Sequence, residues 1–508
     1  MKSEINFIFV LSDKIKKEEK KIIETEIQKA VENIEDSSAS ISIEDDGVSF
    51  DLKCGEKTRV HSAMLQLRNS FSSNIATKIK KGIREIKINK INFSDIPIEG
   101  SLDKDVKIPF IKKFTVKDNK LKIEIEKTID IDLIEKGAVD RILKIIPKKI
   151  HAKEVTGKSA AERTIRTSEK RIKGYAFQKD PTTELIQRGW VKDFPGSGVW
   201  ILMPPFAALM RAITNLVIDR IAKELCFVEV YLPKIVPLEV MRKKGTLGGI
   251  PYEHMFVCPP ISRNPKDFEY YADYVEITGK PAPEMLSKLI KEPMFGLAHG
   301  QCEPFYEIFY KQIVDESLLP IKFYDVSGPS FRYEAGGLKG LERLNEFHRI
   351  EFTYMGTKEQ VMKIRDEILK KAEEIIDKIF KLEYRIDANI PVYLEHAGME
   401  KEEKEADFVK TYDLVGMLPF ITASKPEAEL EIASFHVHSN FYVDRFNCKE
   451  KNKKEIWTGC SGIGPSRWAF AFLVRYGLDY KNWPDEIKRY IGENLPEPPK
   501  MVTWPMKR

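Results

Sequence analysis

The sequence predicts an α+β protein with a separate N-terminal domain. Segments that alternate between apolar and polar residues flank turn signals at Asp45-Asp46-Gly47 and Asp118-Asn119, a pattern that is typical of antiparallel hairpins. Between these segments, apolar residues recur at helical spacing. The helix-spaced segments are 13–34, 58–84 and 132–146. Because strands and helices are intermixed along the chain, the pattern favours an antiparallel α+β domain.

The elements of this domain follow one another closely. The predicted strands are 5–11 and 86–93, with a first hairpin over 40–53 and a second formed by 107–116 and 120–129. The last helix is expected to end before Pro147, since a proline inside a helix removes a backbone hydrogen bond. No stretch of this domain sustains the heptads that a long coiled-coil arm needs.

Composition narrows the class of protein. The chain has 508 residues, of which 32% are charged and 42% hydrophobic, a balance typical of globular chains with about two to four domains. The net charge of +5 permits a nucleic-acid partner without requiring one. Six cysteines without disulfide spacing predict a reduced, cytoplasmic protein. The start has no signal-peptide pattern, and no run of about 18 apolar residues predicts a membrane span.

Charge and proline patterns predict three parts of the chain. Residues 1–147 form the N-terminal domain, 148–180 a basic linker and 181–508 the second domain. Basic residues suit contacts with nucleic-acid phosphates, although an ordinary solvated surface explains any single lysine. The candidates in the N-terminal domain are Lys78, Lys80, Lys81, Arg84, Lys87, Lys90, Lys112 and Lys113.

A glycine-rich hairpin lies near the middle of the second domain. The segment 331–334 (FRYE) precedes a loop with three glycines, and alternation resumes over 347–350, which predicts two strands joined by a long loop. Arg332 is placed to hold a phosphate as a planar fork. Phe347 on the return strand offers a flat surface for a base. Taken alone, the loop is equally consistent with an ordinary exposed hairpin.

A second glycine-rich stretch, 459–467 (GCSGIGPSR), leads into an apolar segment. Glycines let the backbone pass close to a ligand, and Pro465 suits the first turn of a helix. Arg467 is expected in that first turn, facing the same region. A glycine pattern of this kind is weak evidence by itself, but its combination with the preceding hairpin is specific.

Together, the two stretches resemble motifs 2 and 3 of the class II aminoacyl-tRNA synthetases. The resemblance covers about residues 170–508. It implies an antiparallel sheet flanked by helices and an enzyme that activates an amino acid with ATP. Residues 227–237 follow an apolar helix over 204–225 and resemble motif 1, which builds a homodimer interface in this family.

Further blocks resemble the seryl-tRNA synthetases. They are 345–351 (NEFHRIE), 410–414 (KTYDL) and 431–434 (EIAS). The T-x-E loop of the common seryl enzyme is missing, since the corresponding region, 298–304, has the sequence AHGQCEP. This departure, Cys460 in motif 3 and the different N-terminal domain resemble the zinc-dependent seryl-tRNA synthetase of methanogenic archaea. The implied partners are serine, ATP and a serine tRNA bound by the N-terminal domain.

The resemblance implies a set of ATP-binding residues. They are Arg332, Glu334, Arg343, Phe347, Glu431, Ser434 and Arg467. The first and the last of these are the implied catalytic residues, which would hold the α- and γ-phosphates. Phe347 would stack on adenine, with Glu334 at the base end of ATP and Arg343 at its phosphate end. Glu431 and Ser434 would hold Mg²⁺ and ATP, and few carboxylates suffice for Mg²⁺ bound to phosphates; the alternative for Glu431 is an acid at a strand edge.

The resemblance also implies a zinc site. Its ligands would be Cys302, Glu351 and Cys460, which with Arg349 form the implied serine site. Three protein ligands and an open position are typical of catalytic zinc, and the open position would accept the amino group of serine. Because motifs 2 and 3 lie side by side in the class II sheet, Glu351 is expected near Cys460. From the residues alone, both cysteines are better explained as small buried hydrophobic side chains.

Two other functions are also consistent with parts of the sequence. An amino acid ligase that charges a carrier protein shares the catalytic core, but such homologues lack the N-terminal domain. A catalytically silent tRNA-binding paralogue would be expected to lose Arg332, Arg467 or a metal ligand, and all are present. Residues 393–407, in the region near 393–410, match the position of a helix-turn-helix insertion that orders over serine in the archaeal form. The alternative there is a plain surface insertion.

Overall fold

The chain divides into two compact units, Met1–Thr156 and Gly157–Arg508. The computed structural model describes residues 1–98, 108–126, 129–150, 163–194, 198–333, 338, 340–389, 408–420 and 429–500. Each unit has its own hydrophobic core, and each combines sheets with helices. The predicted α+β class is therefore confirmed.

The N-terminal unit is built on a six-stranded antiparallel sheet. Its strands are β1 (Lys2–Leu11), β2 (Ser37–Ile43), β3 (Gly47–Cys54), β4 (Ile83–Pro97), β5 (Ile111–Lys117) and β6 (Lys120–Ile125). They are ordered β2-β3-β1-β4-β6-β5, and both predicted hairpins are neighbouring pairs. At the second turn, Asp118 and Asn119 have φ of 51° and 57°, the left-handed conformation that a two-residue hairpin turn requires.

Two predicted helix boundaries in this unit are wrong. The helices are Lys17–Glu32, Val60–Ser70, Ala76–Ile79, Ile131–Glu135 and Ala138–Ile150, with a π-helical turn at Phe71–Ile75. The helix predicted to reach residue 84 ends at Ile79, because Lys80 adopts φ of 54° and the chain then enters β4. The helix predicted over 132–146 is divided at Gly137, with φ of 74°, and its second part extends past Pro147.

The second unit is built on an eight-stranded sheet ordered β10-β15-β18-β23-β21-β20-β19-β7. The strands of this unit are β7 (Arg163–Thr167), β8 (Val191–Asp193), β9 (Trp200–Leu202), β10 (Val228–Glu229), β11 (Ile235–Pro237), β12 (Phe256–Val257), β13 (Phe295–Leu297), β14 (Ile313–Val314), β15 (Ile321–Asp325), β16 (Pro329–Phe331), β17 (Glu346–His348), β18 (Ile350–Gly356), β19 (Tyr384–Asn389), β20 (Thr411–Met417), β21 (Glu429–Ser439), β22 (Lys449–Glu450) and β23 (Trp457–Ile463). The sheet is antiparallel except for the parallel pair β10–β15. Its edge strand β7 comes from the stretch predicted as a linker.

Helices flank this sheet, as the resemblance implies. They are Thr182–Gln187, Pro204–Val217, Leu238–Lys244, Thr246–Gly249, Glu269–Thr278, Pro283–Leu286, Cys302–Ile308, Lys358–Glu374, Phe441–Arg445, Pro465–Tyr476 and Asp485–Ile491. The long helices at 204, 358 and 465 form the main core with one face of the sheet. Short helices at 238, 302 and 441 form a smaller core on the other face.

The two glycine-rich stretches have the predicted local structure. β16 and β17 pair antiparallel, with Ser330 opposite Phe347, and a helix begins at Pro465 directly after β23.

Among the helices that the structure describes, none combines the length and the apolarity that a bilayer crossing needs.

Candidate active site

One face of the eight-stranded sheet carries the candidate site. Alternate residues of β18 from Ile350 onward lie in the main core, so the side chain of Glu351 points to the opposite face. The register places Gly462 beside Glu351, and Cys460 beside Thr353, one step further along the same face. Pairing of β18 with β23 therefore brings motifs 2 and 3 together, as the sequence predicts.

Three potential metal ligands meet on this face. Cys302 begins the helix Cys302–Ile308, which packs against β18. Its Sγ, a carboxylate oxygen of Glu351 and the Sγ of Cys460 all lie within 4.8 Å of one another, and all three residues are buried. A hydrogen bond between the two thiols lowers the pKa of Cys302 and raises that of Cys460. Cys302 is therefore the more acidic thiol of the pair.

A buried lysine adjoins this group of ligands. The Nζ of Lys244 lies 3.4 Å from the Sγ of Cys302 and 3.4 Å from Oε1 of Glu303. Burial raises the pKa of Glu303, and the charge of Lys244 opposes that shift. Burial disfavours the charged form of Lys244, but the neighbouring Cys302 and Glu303 raise its pKa. The sequence analysis missed Lys244, since nothing local marks it as a neighbour of Cys302.

A buried histidine, His438, contacts Cys460. Nε2 of His438 lies 3.6 Å from the Sγ of Cys460, and its Nδ1 lies 3.1 Å from the hydroxyl of Tyr306. Burial holds the pKa of His438 well below its usual value, so the ring is neutral. A neutral ring that accepts at Nδ1 from the hydroxyl donates at Nε2 toward the sulfur. Sequence reasoning missed this contact too.

Arg332 follows directly after β16 and is anchored by its side chain. Its Nε donates to Nε2 of His299 at 3.0 Å. Oε2 of Glu253 lies 3.0 Å from the same histidine nitrogen and 3.6 Å from Nε of Arg332. The sequence analysis predicted Arg332 as a phosphate ligand but assigned no role to these two contacts.

Arg349 contacts both the ring of Phe347 and the potential metal ligand Glu351. Its guanidinium carbon lies 5.2 Å from the ring centroid of Phe347, and that of Arg332 lies 6.0 Å from it. Nη1 of Arg349 also donates to Oε2 of Glu351 at 3.3 Å. A Cβ at Gly462 would lie 3.0 Å from Cδ of Arg349, so glycine at this motif 3 position makes room for the arginine.

Three further motif residues, Glu431, Ser434 and Arg467, cluster at β21. Nη1 of Arg467 donates to the backbone carbonyl of Glu431 at 2.8 Å, and the side chain of Glu431 is exposed. Ser434 donates to the carboxylate of Asp413. Ile432 and Ala433 are consecutive residues of β21, and both are buried in the main core. The register with β20 shifts at this point, which marks a bulge in β21. This bulge turns Glu431 and Ser434 to the same face, and burial with the charge of Glu431 raises the pKa of Asp413 to about 7.

The last two predicted ATP residues are Arg343 and Glu334. Arg343 is half-buried, and its Nη1 has no hydrogen-bond partner among the described residues. A buried guanidinium nitrogen in this state suits an anionic ligand. Glu334 and the insertion at 393–407 lie outside the described residues.

The basic residues of the N-terminal unit fall into two groups. Lys81 is buried, donates to the carbonyl of Lys14 at 2.7 Å and pairs with Glu19, so it stabilises the fold. Carboxylates also pair with the other candidates Lys78, Lys87, Lys90 and Lys112. The exposed candidates without a carboxylate partner in the described part of the chain are Lys80, Arg84 and Lys113.

Comparisons with known families cover both units. A profile described as a tRNA-binding domain matches residues 1–148. A second profile, described as the tRNA synthetase class II core domain (G, H, P, S and T), matches residues 290–475. The two matches correspond to the N-terminal sheet and to the part of the catalytic sheet that carries the candidate site.

Relatives extend the likeness to nearly the whole chain. The type-2 serine–tRNA ligase of Methanocaldococcus jannaschii is 34% identical over 95% of this chain and 92% of its own length. That of Methanopyrus kandleri is 32% identical over 92% of this chain and 90% of its own length. The crystal structure of M. kandleri SerRS with A. aeolicus tRNASec has a TM-score of 0.82 and 30% identity, covering 99% of both chains. The cytoplasmic serine–tRNA ligase of Naegleria fowleri shares the fold at 16% identity, over 72% of both chains, with a TM-score of 0.52.

Proposed function

This chain belongs to the type-2 serine–tRNA ligases, and from that premise we propose that it holds serine on an active-site zinc ion, activates it with ATP and transfers it to the 3′ end of serine tRNA. The observation that carries the proposal is the buried group of Cys302, Glu351 and Cys460, with ligand atoms within 4.8 Å of one another. Arg349 links this group to the ring of Phe347.

Activation requires positioning and charge stabilisation. A carboxylate oxygen of serine attacks the α-phosphorus of ATP, the bond to the bridging oxygen breaks, and pyrophosphate leaves. Arg332 holds the α-phosphate as this charge develops, and Phe347 stacks on adenine. Arg467, anchored through the carbonyl of Glu431, holds the γ-phosphate. A ribose hydroxyl of the tRNA then attacks the activated carbonyl carbon, and AMP leaves.

Candidate oxygen ligands for magnesium lie next to Arg467. Glu431 presents an exposed carboxylate, and the bulge in β21 brings the hydroxyl of Ser434 to the same face. Mg²⁺ typically takes one or two carboxylates together with phosphates and waters. Glu431 and Ser434 therefore suit a magnesium ion that arrives with ATP.

The ligand group fits zinc by its chemistry. Two sulfurs and one carboxylate form a soft donor set that favours zinc over magnesium or calcium, and three protein ligands leave a position open. When bound, the zinc ion would supply a Lewis-acid site for the amino group of serine. Lys244 offsets the negative charge beside Cys302. A Cβ at Gly300 would lie 3.5 Å from the Sγ of Cys302 and from Nζ of Lys244, so position 300 directly adjoins the ligand group.

The substrate assignment has a direct test. We expect the purified protein to exchange pyrophosphate into ATP with serine and to charge serine tRNA. Threonine is expected to compete weakly but measurably, because a pocket limited by volume rejects an added methyl by only about 1–3 kcal/mol. The assay is pyrophosphate exchange with every standard amino acid. Strong exchange with another amino acid and none with serine contradicts the assignment. Charging of a carrier protein in place of tRNA favours the carrier-protein ligase. No exchange with any amino acid favours the catalytically silent paralogue.

A homodimer is proposed through the segment 227–237. The helix Pro204–Val217 is buried in the core of its own unit, whereas Val228, Tyr231 and Ile235 are 61%, 77% and 55% exposed. Neighbouring apolar side chains with such exposure mark an interaction surface. The segment that follows the helix therefore offers an exposed apolar contact area for the interface that the helix and strand of motif 1 build in this family.

Charged substitutions at this surface are expected to produce monomers. The double variant Tyr231→Asp, Ile235→Asp places two carboxylates in the proposed interface, where burial of unpaired charge is costly. Light scattering at micromolar concentration measures the mass. Ile277→Asp is a matched control, because Ile277 is 82% exposed on the helix Glu269–Thr278 away from 227–237 in sequence. A wild-type protein that is monomeric in the same measurement excludes this interface.

The domain assignment is retained as part of the proposal. Residues 1–147 are the tRNA-binding domain, 148–180 the basic linker and 181–508 the catalytic domain. The profile match over 1–148 and the division of the chain after Thr156 support the end of the first domain. The strand β7 (Arg163–Thr167) is an edge strand of the second unit's sheet, so part of the stretch assigned to the linker belongs to that unit.

A further inference from the structure

We propose that Glu253 and His299 are positioning residues that hold the guanidinium of Arg332 in place for the α-phosphate of ATP. The inference rests on the function proposed above for Arg332. It concerns two residues to which neither the motifs nor the family match assigns a task.

The three side chains form a small closed cluster. Nε of Arg332 lies 3.0 Å from Nε2 of His299, that nitrogen lies 3.0 Å from Oε2 of Glu253, and the same oxygen lies 3.6 Å from Nε of Arg332. The side chains of His299 and Glu253 are 10% and 15% exposed. The two supporting side chains are therefore largely shielded from water, whereas that of Arg332 is 31% exposed, and a charge-assisted contact is stronger where water is excluded.

The donor pattern explains why a histidine stands here. A guanidinium only donates hydrogen bonds, so Nε2 of His299 acts as an acceptor and its ring is neutral. Burial and the charge of Arg332 keep it so by holding its pKa well below the usual value. The carboxylate of Glu253 balances the positive charge of Arg332. The Nε–H of Arg332 thus donates to Nε2 of His299 at 3.0 Å, while Oε2 of Glu253 at 3.6 Å acts through its charge. Both contacts restrict rotation of the guanidinium.

The hydrogen bond from Arg332 to His299 is made by Nε and not by a terminal nitrogen of the guanidinium. An end-on bidentate contact between arginine and a phosphate uses the two terminal nitrogens, Nη1 and Nη2. The contacts to His299 and Glu253 use Nε. They orient the planar fork without taking over its end-on edge, and so lower the conformational entropy that ATP binding must remove.

The same two segments also hold the backbone around Arg332. The carbonyl of Glu253 accepts from the N–H of Tyr333 at 2.9 Å, and the carbonyl of Ala298 accepts from the N–H of Phe331 at 2.8 Å. Residues 253 and 298–299 therefore hold the chain on both sides of the arginine as well as its side chain. This repeated contact distinguishes a built support from a chance ion pair.

The test compares substitutions that remove or retain the acceptor. His299→Phe removes it and is expected to raise the KM for ATP about tenfold or more, because hydrogen bonds to charged groups contribute about 1.5–3 kcal/mol. His299→Gln retains an acceptor oxygen and is expected to recover part of the loss. The KM for serine, measured in the same exchange assay, is expected to change less than about twofold. Zinc content and the melting temperature are measured for each variant.

Controls separate the support from the role of the arginine itself. Glu239→Gln removes the carboxylate of the exposed Glu239–Arg242 pair, with a contact of 2.6 Å, and is expected to change neither KM. Arg332→Lys is expected to raise the KM for ATP more than any of the support variants. If Arg332→Lys leaves that KM unchanged, the proposed function of Arg332 is wrong.

The remaining outcomes decide the proposal. If Arg332→Lys raises the KM for ATP and His299→Phe does not, the support is wrong while the role of Arg332 stands. An equal rise in both KM values indicates a merely structural effect and also overturns it. If His299→Phe fails to fold, Glu253→Gln and His299→Gln decide, since a selective rise in the KM for ATP is expected for Glu253→Gln.

Discussion

Replacement of Cys460 by serine is expected to lower zinc content and serine activation together. The substitution exchanges a soft thiolate for a hydroxyl that stays protonated at neutral pH, while it changes the volume of a buried side chain very little. Changes to groups that only orient a metal ligand cost about 10–100-fold. Loss of a ligand is therefore expected to lower pyrophosphate exchange by about 100-fold or more, with zinc per chain measured by mass spectrometry of the metal.

A second buried cysteine offers a matched control. Cys448 lies in the same small core as Cys302 and Cys460 but is not part of the ligand group. Cys448→Ser is expected to retain zinc and activity. In Cys460→Ser, ATP binding is expected to persist, because Arg332 and Arg467 do not depend on the metal. If Cys460→Ser activates serine normally after exhaustive chelation, the zinc site does not exist and both cysteines are ordinary core residues.

Deletion of residues 1–150 is expected to separate the two steps of the reaction. The two units have distinct hydrophobic cores, so the catalytic unit is expected to retain its fold. Pyrophosphate exchange with serine is then expected to stay within about threefold of the full chain. Charging of tRNA is expected to fall by about 100-fold or more, because phosphate contacts supply much of the affinity for a nucleic acid.

Exposed basic residues refine this test in the full chain. Lys80→Glu with Arg84→Glu changes two exposed side chains of the N-terminal unit and is expected to raise the KM for tRNA while serine activation stays unchanged. Lys81 is unsuitable, since it holds the fold through Lys14 and Glu19. Charging at full efficiency by the truncated enzyme would show that the N-terminal domain is not the tRNA reader.

Local patterns determined the elements that neighbouring residues specify. The hairpin at Asp118-Asn119 has the predicted turn because both residues tolerate positive φ and alternation flanks them. The helix at Pro465 begins where proline suits a first turn. The boundaries at Lys80 and Gly137 were predicted wrongly, because the left-handed conformations that end these helices depend on the packing of the following elements.

The candidate site could be predicted from the sequence only through its motifs. Arg332, Phe347 and Arg467 belong to short patterns whose spacing carries chemical information. The potential metal ligands belong to no such short pattern, because Cys302 and Cys460 lie far apart in the sequence and lack the spacing of a metal-binding motif. The resemblance to a family connected them with Glu351, and the register of β18 with β23 accounts physically for part of that connection.

Tertiary structure alone decided which further side chains support the site. Lys244 meets Cys302, His438 meets Cys460, and His299 with Glu253 meets Arg332. The sequence by itself determined the fold class and the two glycine-rich motifs, because periodicity and turn chemistry are properties of residues close in sequence, and the resemblance of those motifs indicated the family. The supporting contacts join separate elements of the fold. Folding buries these charged and polar groups, and because burial removes their contacts with water, each group needs a hydrogen-bond or charge partner within the protein.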